Sequence, residues 1–302
     1  MTRLQQIHYS EDSFEAQSVI SALTNDDVAL ISGVEQDIAD DLIFSVCELL
    51  GLDESLELQA GFASIQGHRQ TRNDFYMTVN RRRPYQFIPP HSEGSSFSKM
   101  QLAAFYCIEN STDGGETILW HVNANATDWN HLKEKKRKCK VIGTLTDADK
   151  HKIRTSYQLD VDSDRLLQDE EILTSQKIHE NVTMYEVLSK PEKTHSIILD
   201  SYQYAYWDSI SSLDHDCAIR FQEYCKRQSL LKVCSNNSFP MDNAAQRRLR
   251  NFGVNFDELF DHTVIHKLQP GQLIIFNNIS WAHSAANWTP DSGVRNVVGA
   301  FA

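Results

Sequence analysis

The chain has 302 residues, 41% of them hydrophobic and 23% charged, with a formal net charge of −12. That is enough apolar material for a sizeable core, and the acidic balance speaks against binding to nucleic acid or an anionic membrane, which needs clustered Lys and Arg. No apolar run approaches the roughly 18 residues of a membrane span, the opening MTRLQQIHYSEDSFE lacks a signal-peptide core, and six scattered cysteines form no C-x-x-C. The sequence therefore reads as a cytoplasmic protein with reduced thiols and no disulfide frame.

In chain order, Phe14, Val19, Ile20 and Leu23 fall on one side of a helix over 13–24. The run from Val28 to Ile31 reads as a buried strand ending in a turn at Gly33. Ile38, Leu42, Val46 and Leu49 recur at helical spacing up to a stop at Gly51. Residues 57–80 alternate strand-like and loop-like pieces. The run Arg81-Arg82-Arg83 has two readings, a solvated charged face or a cationic collar for an anionic group on a substrate.

The most informative stretch is Pro89-Pro90-His91-Ser92-Glu93. The prolines favour extended backbone, and in a strand His91 and Glu93 lie on one face because side chains alternate. An imidazole and a carboxylate so placed can grip one ion. One distant His would complete a two-His-one-carboxylate face and leave the opposite coordination positions open, which suits Fe(II). Chance alone supplies about 1.6 H-x-[DE] matches for 12 His and 41 acidic residues, so the pattern needs support from elsewhere.

Residues 101–108 form a buried strand, and Asp113-Gly114-Gly115-Glu116-Thr117 reads as a hairpin turn into another. The basic stretch 133–140 reads as a solvated helix face. Residues 141–260 carry the weakest pattern, with strand-like pieces at 182–188 and 196–199 and helical pieces at 217–233 and 244–252. The aromatics Tyr202, Tyr204, Tyr206 and Trp207 read as pocket lining or as ordinary core and surface residues. Order returns with a turn at Pro270-Gly271 and a fully buried strand at 273–276, broken by Asn277-Asn278. Trp281-Ala282-His283 follows, and a last strand over 294–301 sets Arg295, Val297 and Gly299 on one face. Arg295 is then a charge among apolar neighbours, and a buried Arg requires an anionic partner such as a dicarboxylate.

Taken together, His91-x-Glu93, Gly114-Gly115-Glu116-Thr117, the late apolar strand, His283 and Arg295 resemble the Fe(II)/2-oxoglutarate-dependent oxygenases of the taurine dioxygenase-like and clavaminate synthase-like superfamily. The resemblance covers roughly 28–145 and 262–302. It implies a mostly β fold with flanking helices, a double-stranded β-helix (jelly roll, cupin-like), as one domain over 1–302 with 145–260 inserted as a lid. It implies Fe(II) on His91, Glu93 and His283, with 2-oxoglutarate held by Arg295 and Thr117 and O2 as the oxidant. The carboxylate is Glu rather than the commoner Asp, which within this superfamily goes with clavaminate synthase-like members acting on amino-acid-derived molecules or specialised metabolites in biosynthesis. Where sulfonate-oxidising members carry a second Arg, this chain has Gly299, which leaves room for a bulkier or uncharged group. Arg81, Arg82, Arg83, Tyr204 and Gly299 are the candidates for substrate contact. The partner expected is a small molecule, with neither nucleic acid nor membrane, and the oligomeric state is open. Two further readings stand beside this one. The first is a zinc hydrolase, although His262-Thr263-Val264-Ile265-His266 lacks the Glu of H-E-x-x-H. The second is a jelly roll that binds a small molecule without catalysis.

Overall fold

The apolar runs at 28 and 273 show no alternation because both faces of these strands are covered. In the computed structural model, β2 (Val28–Ser32) and β13 (Leu273–Asn277) are neighbours in a six-stranded sheet. One parity (Ala29, Ile31, Leu273 and Ile275) packs in a core with the helices. The other parity (Val28, Leu30, Ile274 and Phe276) packs in a second core that includes residues of another sheet. Burial on both faces turns a period-two pattern into a continuous apolar run. Each such side chain contributes about 1.5–3 kcal/mol through the surface it removes from water.

The structure describes residues 4–11, 14–66, 69–79, 88–94, 100–127, 134–151, 166, 168, 170–179, 181–190, 193–204, 259–286, 288, 289 and 291–302. The larger sheet has the order β1 (Gln5–His8), β2, β13, β5 (Leu102–Asn110), β15 (Arg295–Phe301), β3 (Met77–Thr78). The smaller has the order β12 (Phe260–His266), β6 (Thr117–Val122), β14 (Trp281–Ala285), β4 (Ile88–His91). Along the chain, β3 enters the larger sheet, β4 the smaller, β5 the larger, β6 and β12 the smaller, β13 the larger, β14 the smaller and β15 the larger. That alternation, with antiparallel neighbours throughout these eight strands, makes the core a double-stranded β-helix. Pro89 and Pro90 are accommodated because β4 is an edge strand and because its register with β14 shifts between Ile88 and His91, where the two prolines fall.

Three helices cover the larger sheet's outer face: α1 (Ala16–Asp26), α2 (Ala39–Leu50) and α3 (Asp53–Gln66). Asp40 and Asp41 sit in the first turn of α2, where the helix dipole favours negative charge, and Gly51 ends it in a left-handed cap at φ 67°. Leu49, placed on the apolar face by its spacing, is instead 53% exposed. The stretch 57–66 is helical, not strand or loop. Gly61 lowers helix propensity in the middle of α3 and the apolar residues do not gather on one stripe, so the sequence signal is weak.

Three more expectations are corrected. The Gly114-Gly115 turn does not close a hairpin, because β5 pairs with β13 and β15 while β6 pairs with β12 and β14. It carries the chain from one sheet to the other. The basic stretch is not a helix face: Lys136 to Lys140 lie in β7 (Lys136–Gly143), which pairs with β9 (Val182–Ser189), itself paired with β8 (Glu171–His179). Lys140 is buried there against Glu170 at 2.5 Å. The strand expected at 196–199 ends sooner, as β10 (Lys193–Ser196), and forms a hairpin with β11 (Ser201–Tyr204). Because β7 belongs to this added sheet, the connection between the core strands β6 and β12 leaves at Val122, earlier than the boundary at 145. The helices expected at 217–233 and 244–252 lie outside the described residues. No described helix is long and apolar enough to cross a membrane.

Candidate metal centre

Strands β4 and β14 run antiparallel with His91 directly opposite His283. Opposed residues project from the same face, and here the two imidazole rings lie 4.2 Å apart, centroid to centroid, at 50°. Glu93, two residues beyond His91, returns to that face. Its Oε1 lies 3.8 Å from His91 Nε2 and 3.7 Å from His283 Nε2. The three potential ligand atoms all fall within 4.8 Å of one another, and among the described residues this is the group of His, Cys, Asp and Glu that meets that test. The separations exceed hydrogen-bond length. They suit ligands around a shared ion, since donors each about 2.1 Å from a metal stand roughly 3–4 Å apart. The donor set, two imidazoles and one carboxylate, therefore fits a borderline metal such as Fe(II).

The main chain at Glu93 is fixed by Asn278, a residue the sequence presents only as a strand breaker. Glu93 N–H donates to Asn278 Oδ1 at 3.0 Å, and Asn278 Nδ2 donates to the carbonyls of Glu93 at 2.8 Å and Met100 at 3.0 Å. The side chain of Glu93 is met by Arg69, which the sequence did not single out. Arg69 Nη2 donates to Oε1 at 3.1 Å and Oε2 at 3.0 Å. Arg69 lies between α3 and β3, in a stretch with no periodicity, and a lone Arg there carries no recognisable signal.

Burial and charge set the protonation of the site. Burial pushes the Glu93 carboxyl up, but the imidazoles of His283 and His91 and the Arg69 guanidinium outweigh it and hold the group well below the usual carboxylate range. Burial, reinforced by His91, pulls His283 down to about 4. At neutral pH the site thus offers an ionised carboxylate and, at His283, a neutral ring, which are the states that bind metal. Phe105 and Phe276 pack against the His283 ring at 5.0 and 5.6 Å, so the larger sheet supplies an apolar wall.

Arg295 begins β15, opposite Asn110, with a β-bulge between Asn296 and Val297. Its Nε donates to the carbonyl of Gly115 at 3.0 Å, and its guanidinium lies 5.9 Å from the Trp288 ring. Burial pulls its pKa down to about 10, with Cys107 and Glu116 pushing it back up, so it stays cationic at neutral pH. Even so, no carboxylate among the described residues comes within ion-pair distance of it. Gly115 has φ +74°, and a Cβ there would come within 2.9 Å of Arg295 Cδ. A glycine at 115 is thus required by the close approach of Arg295. Thr117 is 3% exposed at the start of β6, opposite Ala285, while Leu119 faces His283. Residues two apart share a face, so Thr117 sits one pleat along from the His283 row.

The other expected residues fare differently. The space beside Gly299 is not open, because a Cβ there would meet Phe301 at 3.0 Å and Phe105 at 3.2 Å. These rings fill the position that the missing side chain leaves. Arg81, Arg82 and Arg83 lie outside the described residues, as does the aromatic run beyond Tyr204. Tyr204 ends β11, opposite Lys193. His262 and His266 lie on β12, with His266 Nε2 at 2.8 Å from Gln272 Oε1, so this segment is a strand and not a zinc-binding helix.

No family model and no curated protein matches the chain. Among solved structures it is similar to a Burkholderia xenovorans protein assigned as an alpha-ketoglutarate-dependent 2,4-D dioxygenase (13% identity, 99% of this chain and 92% of that one, TM-score 0.42). It is similar also to PvcB, an Fe, alpha-ketoglutarate-dependent oxygenase from an isonitrile synthetic pathway (10% identity, 99% and 84%, TM-score 0.39). A third is the non-heme iron oxygenase OrfP in complex with Fe (12% identity, 94% and 78%, TM-score 0.40). At these scores no activity passes from them to this chain. On its own strand order and side chains, the protein is a double-stranded β-helix that gathers His91, Glu93 and His283 around one point.

Proposed function

We propose that this protein is an Fe(II)- and 2-oxoglutarate-dependent oxygenase that oxidises an unactivated C–H bond of a small molecule. Hydroxylation of an amino-acid-derived compound or specialised metabolite is the outcome we assign, and desaturation or ring closure would use the same residues. The observation that carries the reading is the pairing of a His–Glu–His face with a partly buried Arg295 that has no carboxylate partner among the described residues. A zinc site by itself would leave that cation without its partner, whereas a chelating dicarboxylate uses both features.

His91, Glu93 and His283 would hold the iron, which when bound supplies the activation of O2. The protein's own residues account for the rest. Glu93 stays ionised and His283 neutral, so neither must lose a proton before ligation. Arg295 would take the distal carboxylate of 2-oxoglutarate through its guanidinium fork, with Thr117 donating a hydroxyl hydrogen bond. Gly115 permits that placement of Arg295. Phe105 and Phe276 keep water from the imidazole, which strengthens the charged contacts inside. Glu93 occupies the coordination position a halide would need, which argues against halogenation.

The test is anaerobic titration of Fe(II)-loaded protein with 2-oxoglutarate. A visible charge-transfer band is expected in the wild type, absent in His91→Ala and weakened in Arg295→Gln. No band in the wild type, or one that survives His91→Ala, overturns the reading.

A further inference from the structure

The metal-centre reading leaves one strong interaction unused: the cation on its carboxylate. Glu93 Oε1 faces both imidazoles, at 3.7 and 3.8 Å, while Arg69 Nη2 bridges the carboxylate, 3.0 Å from Oε2 and 3.1 Å from Oε1. Arg69 is itself held in place. Its Nη1 donates to Met77 Sδ at 3.6 Å, and its guanidinium lies 4.9 Å above the Phe301 ring. The main chain of Glu93 is clamped by Asn278. Glu93 is thus gripped at its backbone and across both oxygens, and the near-equal distances set Arg69 Nη2 between them, with Oε1 turned toward the imidazoles.

A glutamate can ligate through one oxygen or two. Two-oxygen ligation would consume a coordination position that the proposed reaction requires for a chelating cosubstrate and for O2. Resting on the metal-centre reading above, we propose that Arg69 is a positioning residue that keeps Glu93 a one-oxygen ligand by occupying the place between its two oxygens from which a metal would chelate both. A guanidinium suits the task. It is permanently charged, and its planar fork can hold the carboxylate, the thioether and the aromatic face at once, which a single flexible ammonium cannot. This also gives the chain a reason to carry Arg69 next to Phe301, where Glu93 is the acid it pairs with among the described residues.

The experiment uses the full chain loaded with Mn(II), with electron paramagnetic resonance line broadening in 17O-enriched water to count bound waters, and cosubstrate affinity measured on the same samples. Arg69→Gln is expected to bind Mn(II) with one water fewer than the wild type and to lose roughly ten- to hundredfold in affinity for 2-oxoglutarate, the range typical of partners that orient metal ligands. Arg69→Lys retains the charge and is expected to show part of both losses, and it decides the matter if Arg69→Gln does not fold. An unchanged water count in Arg69→Gln, or wild-type values in Arg69→Lys, overturns the positioning role. A loss of cosubstrate affinity with the water count intact would reduce Arg69 to a remote charge and overturns it too. Failure of the metal-centre reading has a different signature, namely wild-type protein whose Mn(II) signal is unaffected by His91→Ala.

Discussion

The smaller sheet carries two groupings of the same residue types, and they do opposite things. In one, Glu93 Oε1 stands 3.7–3.8 Å from the imidazoles of His283 and His91, and the three possible ligand atoms lie within 4.8 Å of one another. In the other, at the far end of β6, His121 Nδ1 bonds Asp261 Oδ1 at 2.6 Å, with Asp27 3.6 Å from Nε2. The second is a closed hydrogen bond, made at the surface, where Asp261 is 41% exposed. The first leaves its polar atoms facing one another without closing, inside an apolar wall. Composition does not distinguish an ion cradle from a satisfied pair; the separations and the surrounding burial do.

The largest effect that separates the two should come from removing a ligand. His91→Ala or His283→Ala is expected to lower metal affinity by more than the roughly hundredfold that an outer partner costs, while His121→Ala leaves it at the wild-type value. Calorimetric titration with Mn(II) reads both, and a loss in His121→Ala would erase the distinction drawn here.

Next is Arg295→Gln, expected to weaken 2-oxoglutarate binding about ten- to hundredfold, since a hydrogen bond to a charged group is worth about 1.5–3 kcal/mol, with metal affinity unchanged. Equal losses in metal and cosubstrate binding would instead mean that the site as a whole had been disrupted.

Acid should act on the cradle. His283 titrates at about 4 in the folded protein against an ordinary value of 6.5. Between those values the unfolded chain binds more protons, so stability rises with pH across that window and falls on acidification. The contribution is at most about 3 kcal/mol at pH 7, and Glu93, also held low, adds loss in the same direction below its ordinary value of 4.5. Thermal melts of metal-free protein between pH 4 and 7 should show the decline, and His283→Gln should flatten it. A flat wild-type profile would mean that His283 is not buried in neutral form.

Gly115→Ala is expected to cost about 1–2 kcal/mol of stability through the positive φ, and to weaken cosubstrate binding beyond that by displacing Arg295. The smallest effect is reserved for Asp261→Asn. An exposed pair of this kind contributes at most about 1 kcal/mol, so a small shift in melting temperature and no change in metal affinity are expected.

The buried strands β2 and β13 were legible because both faces are covered, and the last strand because apolar residues flank Arg295. His91, Glu93, His283 and Arg295 stood out through order and spacing along the chain. What failed did so for local reasons. Gly61 hid α3, since a glycine in mid-helix weakens propensity while the packing of neighbouring elements still holds the turn. Lys136 to Lys140 resembled a solvated helix because charge carries no period when a strand's partners are remote in sequence.

The chain alone thus set which residue types were present for the proposed iron site and in what order they come. It did so because alternation in a strand and turn chemistry at glycine are properties of neighbouring residues. Only the tertiary structure placed His91 across from His283, separated Arg295 from any carboxylate among the described residues, closed the space at Gly299 with Phe105 and Phe301, and set Arg69 on Glu93. Those are contacts between segments far apart in sequence, fixed by strand pairing and by the packing of the two sheets, and no local pattern records them.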